Sequence, residues 1–244
     1  MFYHHDITGA GLPVGTVSLT YDDGPGKDTI ALARYLHDEG IRATFFVVGQ
    51  HVLQSRNALG VLKGLGHLIG NHTYTHAGLV DLVASGGDPV AELTRTDQLI
   101  RSYVGETVYF RPPYGSWRSK GKLVLEGSGV SVVANILNSS GRFADYLGPI
   151  MWNVTGGDWG FWERAESVNG CLAGYVEEIE RLQRGIVLMH DSSETPEFAA
   201  RNQTFELTKR LVPELRQRGF RFVGLDAVPV VVQSVAAGLF AGPQ

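Results

Sequence analysis

Residues able to bind a metal ion or move a proton fall in five short, separate segments of this 244-residue chain: Asp22-Asp23, His72-x-x-x-His76, Arg111-Pro-Pro-Tyr114, Asp158-Trp159 and His190-Asp191. Alone, His72 and His76 would read as surface histidines in a polar loop. With a paired aspartate elsewhere they read as metal ligands. A spacing of four sets both imidazoles on one side of a helical turn. Two imidazoles and a carboxylate form a three-ligand set with open positions, as in catalytic zinc sites. Neighbouring residues on an extended segment point in different directions, so Asp22 and Asp23 can divide two tasks. One ligates the ion and the other takes a proton from water. The stiff run from Arg111 to Gly115 aims Arg111 toward a carboxylate and offers the Tyr114 N–H to an oxyanion. His190 suits a general acid that protonates a leaving amine, given a carboxylate partner. Asp158 is the first candidate for that partner and Asp191 the second.

These residues gain weight from the elements that must position them. Strands are expected over Thr16–Tyr21, Ala43–Val48, His67–Gly70, Thr107–Phe110, Val130–Ala134, Ile150–Val154, Gly185–Met189 and Phe220–Val223. Helices are expected over Asp28–Glu39, Val52–Leu65, Pro89–Tyr103, Ser119–Glu126, Glu166–Arg184 and Phe198–Arg218. Such alternation predicts an α/β fold with a mostly parallel sheet, either a closed barrel or an open doubly wound sheet. No G-x-G-x-x-G follows the first strand, which lowers the dinucleotide-binding version. In either form the C-terminal ends of the strands share a face, and each reactive segment lies at or just beyond such an end.

Composition narrows the classes. Hydrophobic residues make up 43% and charged residues 19%, so a packed core rather than disorder is expected. The net charge of −4 and the lack of basic runs argue against a nucleic-acid partner. Cys171 is the single cysteine, so no internal disulfide forms. Met1 to Pro13 lacks the pattern of a secretory signal, which is compatible with a cytoplasmic protein or a trimmed secreted or envelope form. The apolar stretch Val228–Leu239 is too short and interrupted for a membrane span and reads as a core-packing tail. No obligate protein partner is evident. Of the aromatics Tyr74, Tyr114, Trp117, Trp152, Trp159 and Trp162, only Trp159 is placed near the site. His4, His5, His37, His51 and His67 show no partner pattern and are assigned no role.

The segments, in this order, resemble the polysaccharide deacetylase family with the NodB homology domain (carbohydrate esterase family 4). Thr20-Tyr21-Asp22-Asp23-Gly24-Pro25 resembles its first motif, T-F-D-D-G-P, and His72-Thr73-Tyr74-Thr75-His76 its second, H-[ST]-x-x-H. Arg111-Pro112-Pro113-Tyr114 matches R-x-P-Y, and Leu188-Met189-His190 matches L-x-H. Of D-x-x-D-W only Asp158-Trp159 is present, with Thr155 at the earlier acid. Residues 138–147 and 160–170 look like extra loop material. The resemblance spans about Thr16 to Val223 and divides the chain into an N-terminal extension (1–15), the homology domain (16–226) and a C-terminal tail (227–244).

The resemblance implies a distorted (β/α) barrel, often seven-stranded. It implies Asp22 as catalytic base and Asp23, His72 and His76 as metal ligands. Arg111 would orient Asp22, and the Tyr114 N–H would help hold the oxyanion. Asp158 would tune His190, the acid, while Leu188 and Trp159 would line an acetyl pocket. Zinc is the usual ion, with cobalt, manganese or nickel accepted by related enzymes. The implied activity is hydrolysis of N-acetyl groups on amino-sugar glycans. Hydrolysis of a small amide or cyclic imide by the same fold is the first alternative, and a non-catalytic sugar-binding module the second.

Overall fold

All seven residues of Thr16–Asp22 are buried, which a strand achieves only with both faces covered. The computed structural model describes residues 1–118 and 129–240 and shows what covers them. In chain order the elements begin β1 (Phe2–Ile7), β2 (Thr16–Asp22), α1 (Thr29–Asp38), β3 (Thr44–Val47), α2 (Gly49–Gln54), α3 (Arg56–Gly64) and β4 (Leu68–Asn71). Next come α4 (Leu79–Ala84), α5 (Pro89–Ile100), β5 (Val108–Phe110), α6 (Val132–Ser139), β6 (Tyr146–Ile150), α7 (Asp158–Glu163) and α8 (Val168–Leu182). The chain continues through β7 (Arg184–His190), α9 (Pro196–Arg201), α10 (Thr204–Gln217), β8 (Arg221–Phe222) and α11 (Pro229–Phe240).

The described strands form one parallel sheet in the order β1-β6-β5-β4-β3-β2-β7, with β8 beside the start of β2. The chain beyond β6 then crosses to β7. The N–H groups of Asn153 and Val154 donate to the Ile186 carbonyl at 2.9 and 3.2 Å, and Leu188 N–H donates to the Val154 carbonyl at 2.9 Å. Val154 and Val187 form a parallel bridge. These bonds join the two ends of the strand order into a distorted barrel, with helices outside. Tyr21 packs outward, its hydroxyl 3.1 Å from that of Thr208 on α10. On the opposite face Thr20 and Asp22 meet the Arg111 side chain inside the barrel. The period-two pattern of β2 therefore separates a helix-facing side from a polar interior side, and that interior side ends at Asp22.

Several elements differ from those expected. Val130–Ala134 is not a strand; the run belongs to α6, where Ser131 caps the helix by accepting from the Ala134 N–H and Val133, Ala134 and Leu137 are buried. A short apolar run has the same composition in either state, so periodicity alone misassigned it. The strand placed at Ile150–Val154 is β6, four residues earlier, because Gly148-Pro149 lies inside a strand rather than in a loop. Residues 138–147 accordingly hold the end of α6, the connecting loop at 140–145 and the start of β6, whereas 160–170 hold most of α7 and the start of α8 rather than a loop. Val52–Leu65 is two helices that break at Ser55, and Phe198–Arg218 lies in two that break at Asn202. Residues 1–15 supply β1, which the sequence pattern did not reveal, and the expected Ser119–Glu126 helix lies outside the described residues. The apolar C-terminal stretch forms α11, with Val228 and Val231 buried. No helix among the described residues is long and apolar enough to cross a membrane.

Candidate active site

β2, β4, β5 and β7 end on one face of the barrel, and each delivers a reactive residue there. Asp22 is the last residue of β2, and Asp23 follows it in the left-handed region at φ 72°. The turn re-aims the second carboxylate. Its Oδ1 lies 2.9 Å from His76 Nε2 and 3.6 Å from His72 Nε2. One ligand atom from each of Asp23, His72 and His76 lies within 4.8 Å of the others, and all three residues are buried. The two histidines do not share a helical turn as their spacing suggested. They sit on an irregular loop with Thr73 at φ 66° and His76 at φ 62°, and their ring centroids are 5.0 Å apart. Left-handed backbone at a β-branched threonine costs of order 1–3 kcal/mol, so the surroundings must impose it. They do so at two points. Asn71 Oδ1 accepts from Thr73 N–H at 2.9 Å, and the buried Glu92 accepts from the N–H groups of Tyr74 and Thr75 at 3.0 and 2.8 Å.

The outer hydrogen bonds fix which ring nitrogens carry protons. His72 Nδ1 lies 2.7 Å from the Arg111 carbonyl, which can only accept, so Nδ1 holds the proton and Nε2 presents a lone pair. His76 Nδ1 donates to Glu194 Oε1 at 2.6 Å, again leaving Nε2 toward Asp23. Asp23 Oδ1 is then a buried carboxylate oxygen without a hydrogen-bond donor. Two imidazole lone pairs and an unpartnered carboxylate oxygen fit a divalent cation such as zinc, which takes these ligand types. For His72 the charge balance agrees. Burial lowers His72 to about 4, outweighing the nearby Asp22, and so keeps it neutral. Burial acts against charge on His76 too, but Asp23 and then Glu194 outweigh it and lift His76 to about 10. A cation among the three would take the place of that second proton.

Asp22 stands beside the cluster, its Oδ2 3.7 Å from His72 Nε2. Its Oδ1 accepts from Arg111 Nη1 at 2.7 Å. Arg111 is fully buried beneath it, anchored to Thr20 Oγ1 and the Ile150 carbonyl, with Phe46 against the guanidinium. Across the site, His190 ends β7. Its Nδ1 lies 2.7 Å from Asp158 Oδ1, and its backbone N–H donates to Asp158 Oδ2 at 2.8 Å. Burial disfavours charge on His190, but Asp158 outweighs it and raises the imidazole to about 9. Asp191, the alternative partner, turns elsewhere. It accepts from Thr29 Oγ1 and packs against Gly24, where a Cβ would come within 2.4 Å of its carboxylate. Burial raises Asp191 to about 7. The break between α9 and α10 also serves the site, since Asn202 Nδ2 donates to the His190 carbonyl at 2.7 Å.

Tyr114 lies in a 3-10 turn, Pro113–Gly115, at φ 57°, and its ring is 4.7 Å from that of His76. Tyr114 and Trp159 are 55% and 52% exposed, whereas Leu188 is buried in β7. Trp117 and Trp162 are core residues, and Trp152 is buried beside Arg111, 5.7 Å from its guanidinium. Among the histidines assigned no role, His67 is a core residue bonded to Ala33 and Ala43, whereas His51 Nδ1 donates to the Asp23 carbonyl at 2.5 Å. Sequence reasoning also missed Glu92, Asn71 and Glu194. Only Asn71 and Glu194 carried any signal, as polar residues just before His72 and just after Asp191.

Residues 10–133 match the family described as polysaccharide deacetylase, a span that contains Asp22, Asp23, His72, His76, Arg111 and Tyr114. Chitin deacetylase 1 of Cryptococcus neoformans is 32% identical over 71% of this chain, which spans only 36% of that protein's length. A chitooligosaccharide deacetylase of Azorhizobium caulinodans is 27% identical, with 84% of this chain and 90% of the relative covered. Among solved structures, a peptidoglycan N-acetylglucosamine deacetylase superposes with a TM-score of 0.67 at 22% identity, covering 93% of this chain and 92% of that one, a likeness of fold. With half of its length matched to that family and its fold shared, the chain belongs to the polysaccharide deacetylases.

Proposed function

We propose that this protein is a metal-dependent hydrolase that removes N-acetyl groups from an amino-sugar glycan, releasing acetate and a free amine. The observation that carries this reading is the spare carboxylate of Asp22, held by Arg111 at the edge of the Asp23–His72–His76 cluster. Asp23 and the two Nε2 atoms would hold the ion, for which zinc suits the donor set, with cobalt, manganese or nickel as substitutes. When bound, such an ion supplies Lewis acidity, lowering the pKa of water toward ~7 and polarising the acetamide carbonyl.

The chain's own groups do the rest. Asp22 accepts a proton from the attacking water as the new C–O bond forms. Arg111 fixes Asp22 in line. The Tyr114 N–H stabilises negative charge on the former carbonyl oxygen. His190 carries its mobile proton on Nε2, since Nδ1 is bonded to Asp158, and passes it to the departing nitrogen as the C–N bond breaks. The exposed rings of Tyr114 and Trp159 offer flat faces to sugar rings, and Leu188 lines the acetyl pocket. Chitooligosaccharide and peptidoglycan fragments are the substrates that the relatives' names support.

Acetate release should be measured on N-acetylglucosamine oligomers and peptidoglycan fragments, and ring opening on a small cyclic amide, before and after chelation. Release from a glycan that chelation abolishes and zinc restores is expected. Turnover of the cyclic amide alone would overturn the substrate assignment.

A further inference from the structure

Glu194 lies in the loop after β7, outside the residues that the proposed reaction uses. Its carboxylate nevertheless joins two parts of the site. Glu194 Oε1 accepts from His76 Nδ1 at 2.6 Å and also from the Tyr114 hydroxyl. The Tyr114 hydroxyl is itself 3.2 Å from His76 Nδ1. The two edges of the His76 ring are thereby divided: Nε2 faces Asp23, and Nδ1 faces Glu194 and Tyr114. Glu194 lies on the wrong edge of the ring to be a fourth ligand. The His76 backbone is left-handed and the Glu194 side chain is 46% exposed, so the contact behind the ring is made from a surface loop.

We infer that Glu194 is a positioning residue for the metal centre, orienting His76 through Nδ1 and strengthening its Nε2 as a ligand. This rests on the metal reading proposed above. A carboxylate behind a ligating histidine fixes its tautomer and orientation, and removing one commonly weakens metal affinity 10–100-fold. Tyr114 belongs to the same contact, so the phenol has a role separate from that of its backbone N–H.

The test is zinc affinity by competition with a chromophoric chelator, alongside thermal melting of the metal-free protein. Glu194→Ala should weaken zinc binding about 10–100-fold, and Glu194→Gln, which retains an acceptor without charge, should weaken it less. Metal-free melting should fall only slightly, because the side chain is half exposed and its ion pair with His76 is screened. A Tyr114→Phe background separates direct action on His76 from a mere tie between loops. The Glu194→Ala loss should persist there, whereas its disappearance would assign Glu194 to holding Tyr114 and overturn the inference. Wild-type affinity in Glu194→Ala would overturn it and leave the metal site standing. A wild-type protein that binds no zinc would remove both.

Discussion

At the scale of single residues, the site sorts its acids and bases by burial and partner. His72 is kept neutral by burial, while His190 is raised to about 9 because Asp158 outweighs burial. An imidazole that must donate a proton loses activity when it deprotonates. Asp158→Asn removes the charge that raises His190, so the alkaline limb of kcat/KM should move to lower pH by at least about 1 unit. An unmoved limb would assign that limb to another group. Stability carries the same sign. The raised pKa of His190 contributes stability that is complete below the unfolded value of ~6.5 and lost as pH rises through about 9. Asp158→Asn should therefore destabilise the metal-free protein more at pH 6 than at pH 10. Much of this was legible from sequence, because Asp22, Asp23, His72, His76, Arg111 and His190 are all placed by strand ends. Asp158 was already preferred to Asp191 there, but how it reaches His190 was not legible. That reach depends on α7 beginning at Asp158, in a region whose elements were misassigned.

At the scale of elements, the ligand loop is held in a conformation that it would not adopt alone. Thr73 and His76 are left-handed, and Glu92 reaches from α5 to bind the two N–H groups between them. Nothing in the spacing of H-x-x-x-H hinted at this, since the pattern equally describes a helical turn. The deciding carboxylate comes from α5, outside the loop itself. Glu92→Ala leaves two backbone donors without their acceptor, at about 1–3 kcal/mol each if they stay buried. Loss of both melting temperature and zinc affinity is expected. A variant with wild-type affinity would show that the loop keeps its shape without the clamp. The helix break at Asn202 was hidden for a similar reason, because the residue that interrupts the periodic pattern is employed in holding the His190 carbonyl.

At the scale of the molecule, periodicity predicted a parallel α/β fold but left barrel and open sheet undecided, and only the family resemblance pointed to a barrel. Closure depends on contacts that no periodicity encodes. Asn153, beyond the end of β6, accepts from Gly9 N–H at 2.8 Å and Ile186 N–H at 3.0 Å, tying the chain after β1 to β7. Asn153→Ala should cost roughly 2 kcal/mol or more, lowering the melting temperature by several degrees. An unchanged melting curve would show that the closure does not depend on this side chain. A closed barrel matters because it sets four strand ends around one point, and the account as a whole rests on what meets there. The most direct test is zinc stoichiometry in Asp22→Asn and Asp23→Asn, measured together with acetate release. Asp22→Asn should keep one ion per chain and release no acetate, and Asp23→Asn should lose the ion. Loss of the ion from Asp22→Asn, or its retention by Asp23→Asn, would contradict the division between base and ligand.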